Sequence, residues 1–212
     1  MIQCAQSFQN RWGGITVLNH RGTQVLVTER LILRPFVLTD AENMYRNWAS
    51  DPHVTRYVTW DPHESLFDTE TILTAWCSLY DNPTVYNWAI ELRETGEAIG
   101  NISVVNRSDR DEYCEIGYCL SSRYWRQGIM PEAASTVIRF LLTEVGYHRV
   151  EARHDSRNPA SGRVMQKCGM IYEGTLRDRH RDKTGEFSDL CFYGITRDNL
   201  CDKGDAAHGH DH

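Results

Sequence analysis

The segment at positions 124–133 has the composition of an anion-binding helix entrance. Its sequence is Tyr-Trp-Arg-Gln-Gly-Ile-Met-Pro-Glu-Ala, with Gly128 shortly before Pro131. Proline suits the first turn of a helix, where its missing N–H would have no partner, and glycine lets the backbone approach a ligand closely. The free amides favour a phosphate or pyrophosphate, and Arg126 can add a forked, charge-assisted contact. Most such entrances bind nothing, so this segment alone leaves the site open.

The entrance is followed by an apolar stripe at helical spacing. Apolar residues recur every three or four positions, at Ala134, Ile138, Leu141 and Val145. This spacing predicts a helix that begins near Pro131, buries one face and ends at Gly146.

Composition and charge restrict the class of protein. A chain of 212 residues, 41% hydrophobic and 10% aromatic, has enough apolar material for one folded domain. Its net charge is −6, and its basic residues are scattered or paired with acids. The pattern therefore disfavours nucleic-acid binding, including binding by the charged loop at 177–185. A small amine-bearing partner fits the negative net charge better.

Neither a membrane segment nor a metal site is expected. No apolar run reaches the roughly 18 residues of a span, and the N-terminus lacks a signal pattern, so a cytoplasmic protein is predicted. Seven cysteines without a C-x-x-C pair argue against a disulfide framework and a zinc knuckle. The Asp-Pro-His tripeptides at 51–53 and 61–63 are interpreted as turn openers rather than metal ligands. His208, His210 and His212 are assigned to a disordered tail.

The remaining patterns predict an α+β domain at 28–199, between an N-terminal extension at 1–27 and a tail at 200–212. The extension is predicted to contain a hairpin of 15–18 with 24–27. Strands are predicted at 30–34, 85–93, 98–106, 112–120, 149–155, 170–175 and 188–196, and helices at 39–49, 68–80, 131–145 and 158–168. The order strand 112–120, helix, strand 149–155 implies a crossover and a locally parallel pair.

Three motifs in order carry a family resemblance. They are the segments 115–118, 124–133 and 157–170. Together they resemble the GNAT acetyltransferases, and in particular the branch that contains the ribosomal-protein N-terminal acetyltransferases, over 28–199. The resemblance implies a central mixed, mostly antiparallel twisted sheet with a splayed parallel pair of strands, flanked by about four helices. It also implies transfer of an acetyl group from acetyl-CoA to a primary amine.

The resemblance further implies a cofactor site. The entrance loop formed by Arg126, Gln127, Gly128, Ile129 and Met130 is expected to hold the pyrophosphate of acetyl-CoA. Backbone groups near Leu120 are expected to bond the pantetheine arm and to polarise the thioester carbonyl, as an oxyanion hole does. Asn158 matches a position that contacts the pantetheine, and Lys167 is expected to reach the nucleotide phosphates.

The catalytic groups are less clearly marked. The chemistry needs an amine to lose a proton and a thiol to leave, so one base acting through water suffices. Glu115 is the candidate base, and the alternative is a carboxylate that holds a neighbouring backbone group or arginine. Glu151 and His154 are second choices, whereas Glu132 complements the helix N-terminus. The tyrosine that serves as acid in other branches falls at Met165, which cannot donate a proton. The nearest matching hydroxyl is that of Ser161, which is expected to assist the departing thiolate, so Ser161 and Glu115 are the expected catalytic residues.

Three functions remain open from the sequence. The first is acetylation of a protein or peptide N-terminal α-amino group. The second is acetylation of a small amine such as a polyamine or aminoglycoside. The third is a module that binds coenzyme A without turnover, and the patterns leave monomer and homodimer equally open.

Overall fold

A computed structural model of the protein describes residues 17–200, in which the strands form one eight-stranded sheet. The strand order is β1-β2-β3-β4-β5-β6-β8-β7. The strands are β1 Leu26–Val27, β2 Leu31–Arg34, β3 Asn87–Leu92, β4 Ala98–Ser108, β5 Tyr113–Leu120, β6 Arg149–Asp155, β7 Ile171–Arg181 and β8 Phe187–Thr196. Neighbouring strands are antiparallel, except that β5 and β6 are parallel. The predicted crossover and parallel pair are therefore confirmed.

Helices cover both faces of the sheet, which confirms the α+β class. They are α1 Ala41–Met44, α2 Leu66–Cys77, α3 Ile129–Phe140 and α4 Pro159–Lys167. A 3₁₀ turn at Leu38–Asp40 leads into α1, and wider π-type turns at Tyr45–Ala49 and Leu141–Val145 continue α1 and α3. Two further 3₁₀ turns are Thr55–Tyr57 and Ser122–Tyr124.

The two faces of the sheet bury separate apolar cores. On one face, α3 contributes its apolar stripe to a core that includes Cys114 of β5. On the other face, α1 and α2 cover a smaller core that includes Cys119, five positions along the same strand. Side chains alternate between the faces of a strand, so an odd spacing puts the two thiols on opposite sides, as the sequence predicted.

The N-terminal part differs from its prediction. Strand β1 pairs with β2, with Leu26 opposite Leu33, rather than with residues 15–18. Residues 15 and 16 lie outside the described part of the chain, as does the tail after 200 with its three histidines. Leu18 is buried in the core of the α3 face, and Asn19 N–H donates to the Val145 oxygen at 2.8 Å. Packing against α3 therefore takes the place of a local hairpin here.

Helices begin where a side chain accepts a hydrogen bond from a backbone N–H at the start of the helix. The first helical turn begins at Leu38 rather than at the predicted residue 39, because the Asp40 carboxylate accepts from Val37 N–H at 2.9 Å. Helix α2 begins at Leu66, two residues before its prediction, because the Ser65 hydroxyl accepts from Asp68 N–H at 3.3 Å while the Asp68 carboxylate accepts from Ser65 N–H. This reciprocal pair is a capping box.

Strand β7 extends through part of the predicted charged loop. It continues to Arg181 and pairs with β8 as far as Phe187, which leaves a short turn at the tip. The strand is an outer edge of the sheet and is exposed along almost its whole length. Charged side chains are accommodated because neither face of this edge is covered.

In the part of the chain the structure describes, no helix is long and apolar enough to cross a membrane. Among the same residues, no group of three or more His, Cys, Asp or Glu side chains is arranged to hold a metal ion.

Candidate active site

Strands β5 and β6 form a fork. Their parallel pairing covers Tyr113 to Glu115 on β5 and Arg149 to Glu151 on β6, and then stops. Strand β5 nevertheless continues to Leu120, paired with β4, and β6 continues to Asp155, paired with β8. The inner edges of both strands are thus unpaired over their second halves, so their backbone groups are available to a ligand.

The backbone of Leu120 points into this fork. Ser121 N–H donates to the Ile99 oxygen of the β4 side at 2.8 Å. Antiparallel residues alternate between facing toward and away from their partner, so the N–H and C=O of Leu120 face away from β4. The indole of Trp125 donates to the Leu120 oxygen at 2.8 Å, which leaves the Leu120 N–H as the donor at the fork.

The entrance to α3 has a row of amides without acceptors in the part of the chain that the structure describes. Gly128 is the N-cap with φ +78°, and Arg126 also has a positive φ, +63°. Within residues 17–200 the N–H groups of Gly128, Ile129 and Met130 have no hydrogen-bond acceptor. The Arg126 side chain is exposed and makes no ion pair in the same part of the chain. Unbonded amides at a helix N-terminus beside a free arginine complement the negative charge of a pyrophosphate, so the residues present fit this part of coenzyme A.

The segment before β2 braces this loop, a contact that the sequence did not indicate. The Arg30 guanidinium donates to the Gln127 oxygen at 3.0 Å and to the Glu132 carboxylate at 2.7 Å. Thr28 Oγ1 donates to the same carboxylate at 2.5 Å. Glu132 thus does more than complement the helix N-terminus, since it ties α3 to a segment 102 residues earlier.

Glu115 lies at the branch point of the fork, at the last paired position opposite Glu151. Its side chain is 9% exposed, and its Oε1 lies 2.9 Å from Nε of Arg153. Burial raises the pKa of Glu115 above the ordinary carboxyl value, Arg153 acts in the opposite direction, and the charge of Glu151 raises it further. A buried carboxylate with a raised pKa is suited to accept a proton near neutral pH.

The two second-choice bases have other surroundings. The Glu151 carboxylate accepts from Arg149 Nε at 2.7 Å, and that guanidinium also binds Glu173. The His154 ring lies on the opposite face of β6, against α4, since a Cβ added to Gly162 would come within 2.6 Å of its Nε2. Glu151 is at the branch point but is less buried than Glu115, with a side chain that is 29% exposed. His154 is buried but lies on the other face of the sheet.

Ser161 lies in the first turn of α4, beside a tyrosine that the sequence did not single out. The hydroxyl of Tyr118 is 3.0 Å from Ser161 Oγ and 3.1 Å from the Ser161 carbonyl oxygen. Both residues are half-buried. The contact joins the unpaired half of β5 to α4, on the face of the sheet opposite Glu115, because positions 115 and 118 point to opposite sides.

The other two expected ligand residues lie along the same helix. Asn158 is the N-cap of α4, and its backbone oxygen accepts from Ser161 N–H at 3.2 Å. Its side chain makes no capping bond, so the amide group is free to contact a ligand. Lys167 is exposed at the last position of α4. Helix α4 therefore carries one candidate at each end and Ser161 near the fork.

A groove lies on the face of the sheet that Glu115 occupies, with its lining on the neighbouring strand rather than on β5. It has a volume of about 500 Å³ and runs between the end of α2 and strands β3 and β4. Its lining includes Trp76, Leu79, Val105 and Asn106. Asn106 pairs with Glu115 across the β4–β5 ladder, and Val105 lies against Gly117, where a Cβ would come within 3.0 Å of it. The groove therefore extends away from the candidate base.

Comparisons with known proteins agree with this architecture. Residues 30–171 match the family model described as "Acetyltransferase (GNAT) domain". The uncharacterised N-acetyltransferase YoaA of Bacillus subtilis is 32% identical over 173 residues, which is 82% of this chain and 97% of that protein. The crystal structure of a GNAT-family acetyltransferase from Bacillus anthracis superposes with a TM-score of 0.72 at 25% identity, covering 82% of this chain and 99% of that one.

The chain belongs to the GNAT acetyltransferase family. It is an N-acetyltransferase of the type that uses acetyl-CoA. A more distant relative is the uS5-alanine N-acetyltransferase of Escherichia coli, which is 24% identical over 162 residues and covers 72% of this chain and 81% of that protein.

Proposed function

We propose that this enzyme acetylates the N-terminal α-amino group of a protein or peptide, with acetyl-CoA bound in the fork between β5 and β6. The observation that carries the proposal is the position of Glu115, which is buried at the branch point opposite Asn106, a lining residue of a groove of about 500 Å³ on the same face of the sheet. An extended acceptor can lie in such a groove with its terminal amine near the carboxylate, whereas a compact amine would leave the groove empty. Similarity to the uS5-alanine enzyme supports the same substrate class.

The chain's own residues are assigned as follows. The amides of Gly128, Ile129 and Met130, with Arg126 and Gln127, hold the pyrophosphate, and Lys167 reaches the nucleotide phosphates. Asn158 and the backbone of Leu120 bind the pantetheine arm. Acetyl-CoA supplies an acetyl group activated as a thioester.

Glu115 and Ser161 act on the two reacting groups, Glu115 on the attacking amine and Ser161 on the departing thiolate. Glu115 accepts the proton of the attacking amine, directly or through one water, because its raised pKa makes it more basic than an ordinary carboxylate. The Leu120 N–H stabilises the negative charge that develops on the carbonyl oxygen. Ser161 donates a hydrogen bond to the departing sulfur. These two side chains lie on opposite faces of the sheet, which suits an amine that arrives from one side and a thiol that leaves toward the other.

The acceptor class is tested by thiol release from acetyl-CoA with a panel of amines. The panel contains peptides beginning with Ala, Ser or Thr, the same peptides with a blocked N-terminus, spermidine and an aminoglycoside. We expect turnover with free N-termini and none with the blocked peptides, because the reacting group is the α-amine. A kcat/KM for spermidine or the aminoglycoside above that of every peptide would assign the enzyme to small amines instead. Binding of acetyl-CoA without thiol release for any amine would indicate a non-catalytic module.

A further inference from the structure

Tyr118, on the half of β5 that is not paired with β6, and Ser161 of α4 form a hydrogen-bonded pair. The Tyr118 hydroxyl has one hydrogen but two acceptors within reach, the Ser161 carbonyl oxygen at 3.1 Å and Ser161 Oγ at 3.0 Å. A phenol donates once and accepts as well. If it donates to the carbonyl, its oxygen can accept the Ser161 hydroxyl hydrogen; if it donates to Oγ, the Ser161 hydrogen is released for another acceptor.

We propose that Tyr118 is a positioning residue that directs the Ser161 hydroxyl toward the departing thiolate. The inference rests on the role assigned to Ser161 in the proposed function. In the resting enzyme, Tyr118 donates to the Ser161 carbonyl and accepts from Oγ. As negative charge develops on sulfur, the Ser161 hydrogen turns to the sulfur and the Tyr118 hydrogen moves to Oγ. Each hydroxyl keeps one donated bond throughout, so no buried donor is left without a partner.

The overall step is balanced by a proton that passes from nitrogen to sulfur. The amine nitrogen forms a bond to the acetyl carbon, the carbon–sulfur bond breaks, and its electron pair stays on sulfur. Glu115 takes the proton from nitrogen and releases it to solvent, and the thiolate takes a proton from solvent once the hydrogen bond from Ser161 has stabilised it. Tyr118 itself stays neutral, since burial raises its pKa well above its usual range. It therefore contributes a hydrogen bond rather than a proton.

The surroundings of Tyr118 favour this role over simple packing. The residue lies on the half of β5 that no longer pairs with β6, beside the Leu120 backbone that faces the fork. Its partner belongs to α4, 43 positions later in the sequence. A hydroxyl pair that connects two elements at a ligand cleft can reorganise when a charge appears between them, because hydroxyl hydrogens rotate freely.

The test is a double-mutant cycle on kcat with Tyr118→Phe, Ser161→Ala and the double variant. Tyr172→Phe is the matched control, because its hydroxyl also bonds another hydroxyl, Thr175 Oγ1 at 2.8 Å, but lies on the exposed edge strand β7. We expect Tyr118→Phe to lower kcat about tenfold, the effect of one hydrogen bond in the transition state, with KM for acetyl-CoA within about twofold. The double variant should be no slower than Ser161→Ala alone, and Tyr172→Phe should keep kcat.

The outcomes separate the two proposals. If Ser161→Ala lowers kcat but Tyr118→Phe does not, the inference about Tyr118 is wrong and the role of Ser161 stands. If the two effects multiply in the double variant, Tyr118 acts independently of Ser161 and the inference is again wrong. A rise in KM for acetyl-CoA with unchanged kcat in Tyr118→Phe would show a packing role only. Wild-type kcat in Ser161→Ala would remove the role of Ser161 itself, and with it this inference.

Discussion

Arg153 Nε lies 2.9 Å from Glu115 Oε1, and this ion pair joins β5 to β6 at the level where their backbone pairing has ended. Glu115 occupies the last paired position, and Arg153 lies two residues beyond its paired neighbour Glu151 on β6. The carboxylate is thus held by a side-chain ion pair with Arg153, at a level where the two strands no longer share backbone hydrogen bonds. A carboxylate in this position can serve either as a base or as a structural partner, and kinetics can distinguish the two roles.

Replacement of Glu115 by glutamine tests the base directly. Glu115→Gln keeps the shape and can still accept from Arg153, but it cannot take a proton. We expect turnover near neutral pH to fall by ~10²-fold or more, the range usual for loss of a general base. Part of the loss should be recovered at high pH, where more of the amine is already neutral. The measurement is thiol release over a range of pH.

Glu173→Gln is the control for this experiment, because Glu173 also bonds an arginine, Arg149, but lies on β7 away from the branch point. Its turnover should match the wild type. Near-wild-type rates for Glu115→Gln across the whole profile would assign Glu115 a structural role.

The pH profile should move in opposite directions when the two charges beside Glu115 are removed. Arg153 lowers the pKa of Glu115 and Glu151 raises it. Since the base form is the deprotonated carboxylate, activity rises with pH through this pKa. Arg153→Gln should therefore shift the low-pH limb of kcat/KM to higher pH, and Glu151→Gln should shift it to lower pH. Profiles measured with two acceptors of different amine pKa identify the group responsible.

If the low-pH limb of kcat/KM moves with the pKa of the acceptor amine and is the same in both variants, it reports ionisation of the amine rather than of Glu115. In that case Glu115 would not be the group that titrates in the free enzyme.

The parallel pair and the helix entrance were predictable because their signals are local. The apolar stripe of α3 and the Gly128 to Pro131 spacing lie within one segment, and the order strand, helix, strand requires a parallel pair. The bounds of β5 and β6 were correspondingly close to those predicted.

The contacts that join distant segments could not be predicted in this way. Tyr118 meets Ser161 across 43 positions, and Arg30 meets Glu132 across 102. No periodicity in one sequence reports which polar side chains meet after folding. The predicted strand at 170–175 ends too early, because the charged residues after it suggest a loop, whereas β7 continues to Arg181. An exposed edge strand has no buried face, so its sequence need not alternate between apolar and polar residues.

The anion site at the α3 entrance is tested by Gly128→Glu. The substitution places a carboxylate and a Cβ beside the amides that are to meet a pyrophosphate, at a φ of +78° that disfavours any side chain. We expect calorimetry to detect no coenzyme A binding. Gly146→Glu is the matched control, since Gly146 also has a positive φ, +95°, and open space around it, but ends the turn after α3. Unchanged affinity in Gly128→Glu would refute the site.

The last prediction concerns the carboxylate of Glu132, which ties the α3 entrance to Thr28 and Arg30. Burial raises its pKa, but the bonds from Thr28 and Arg30 outweigh burial and hold the pKa below its ordinary value. A carboxyl group with a lowered pKa in the folded state stabilises the fold above its unfolded pKa, and this contribution is lost as pH falls through the folded pKa. Glu132→Gln should therefore reduce the free energy of unfolding by about 1 kcal/mol at neutral pH, a modest value because solvent screens this half-exposed cluster.

The measurement is urea unfolding of wild type and Glu132→Gln at neutral pH and at successively lower pH. The difference between the two proteins should narrow as the pH falls, because both then carry a neutral side chain at position 132. Glu144→Gln is the control, since Glu144 pairs with Arg21 at the surface, where both side chains are about half exposed, and its loss should change little at any pH. A difference for Glu132→Gln that stays constant down to the acid transition would show that shape and packing, rather than charge, hold the entrance to α3 against the segment before β2.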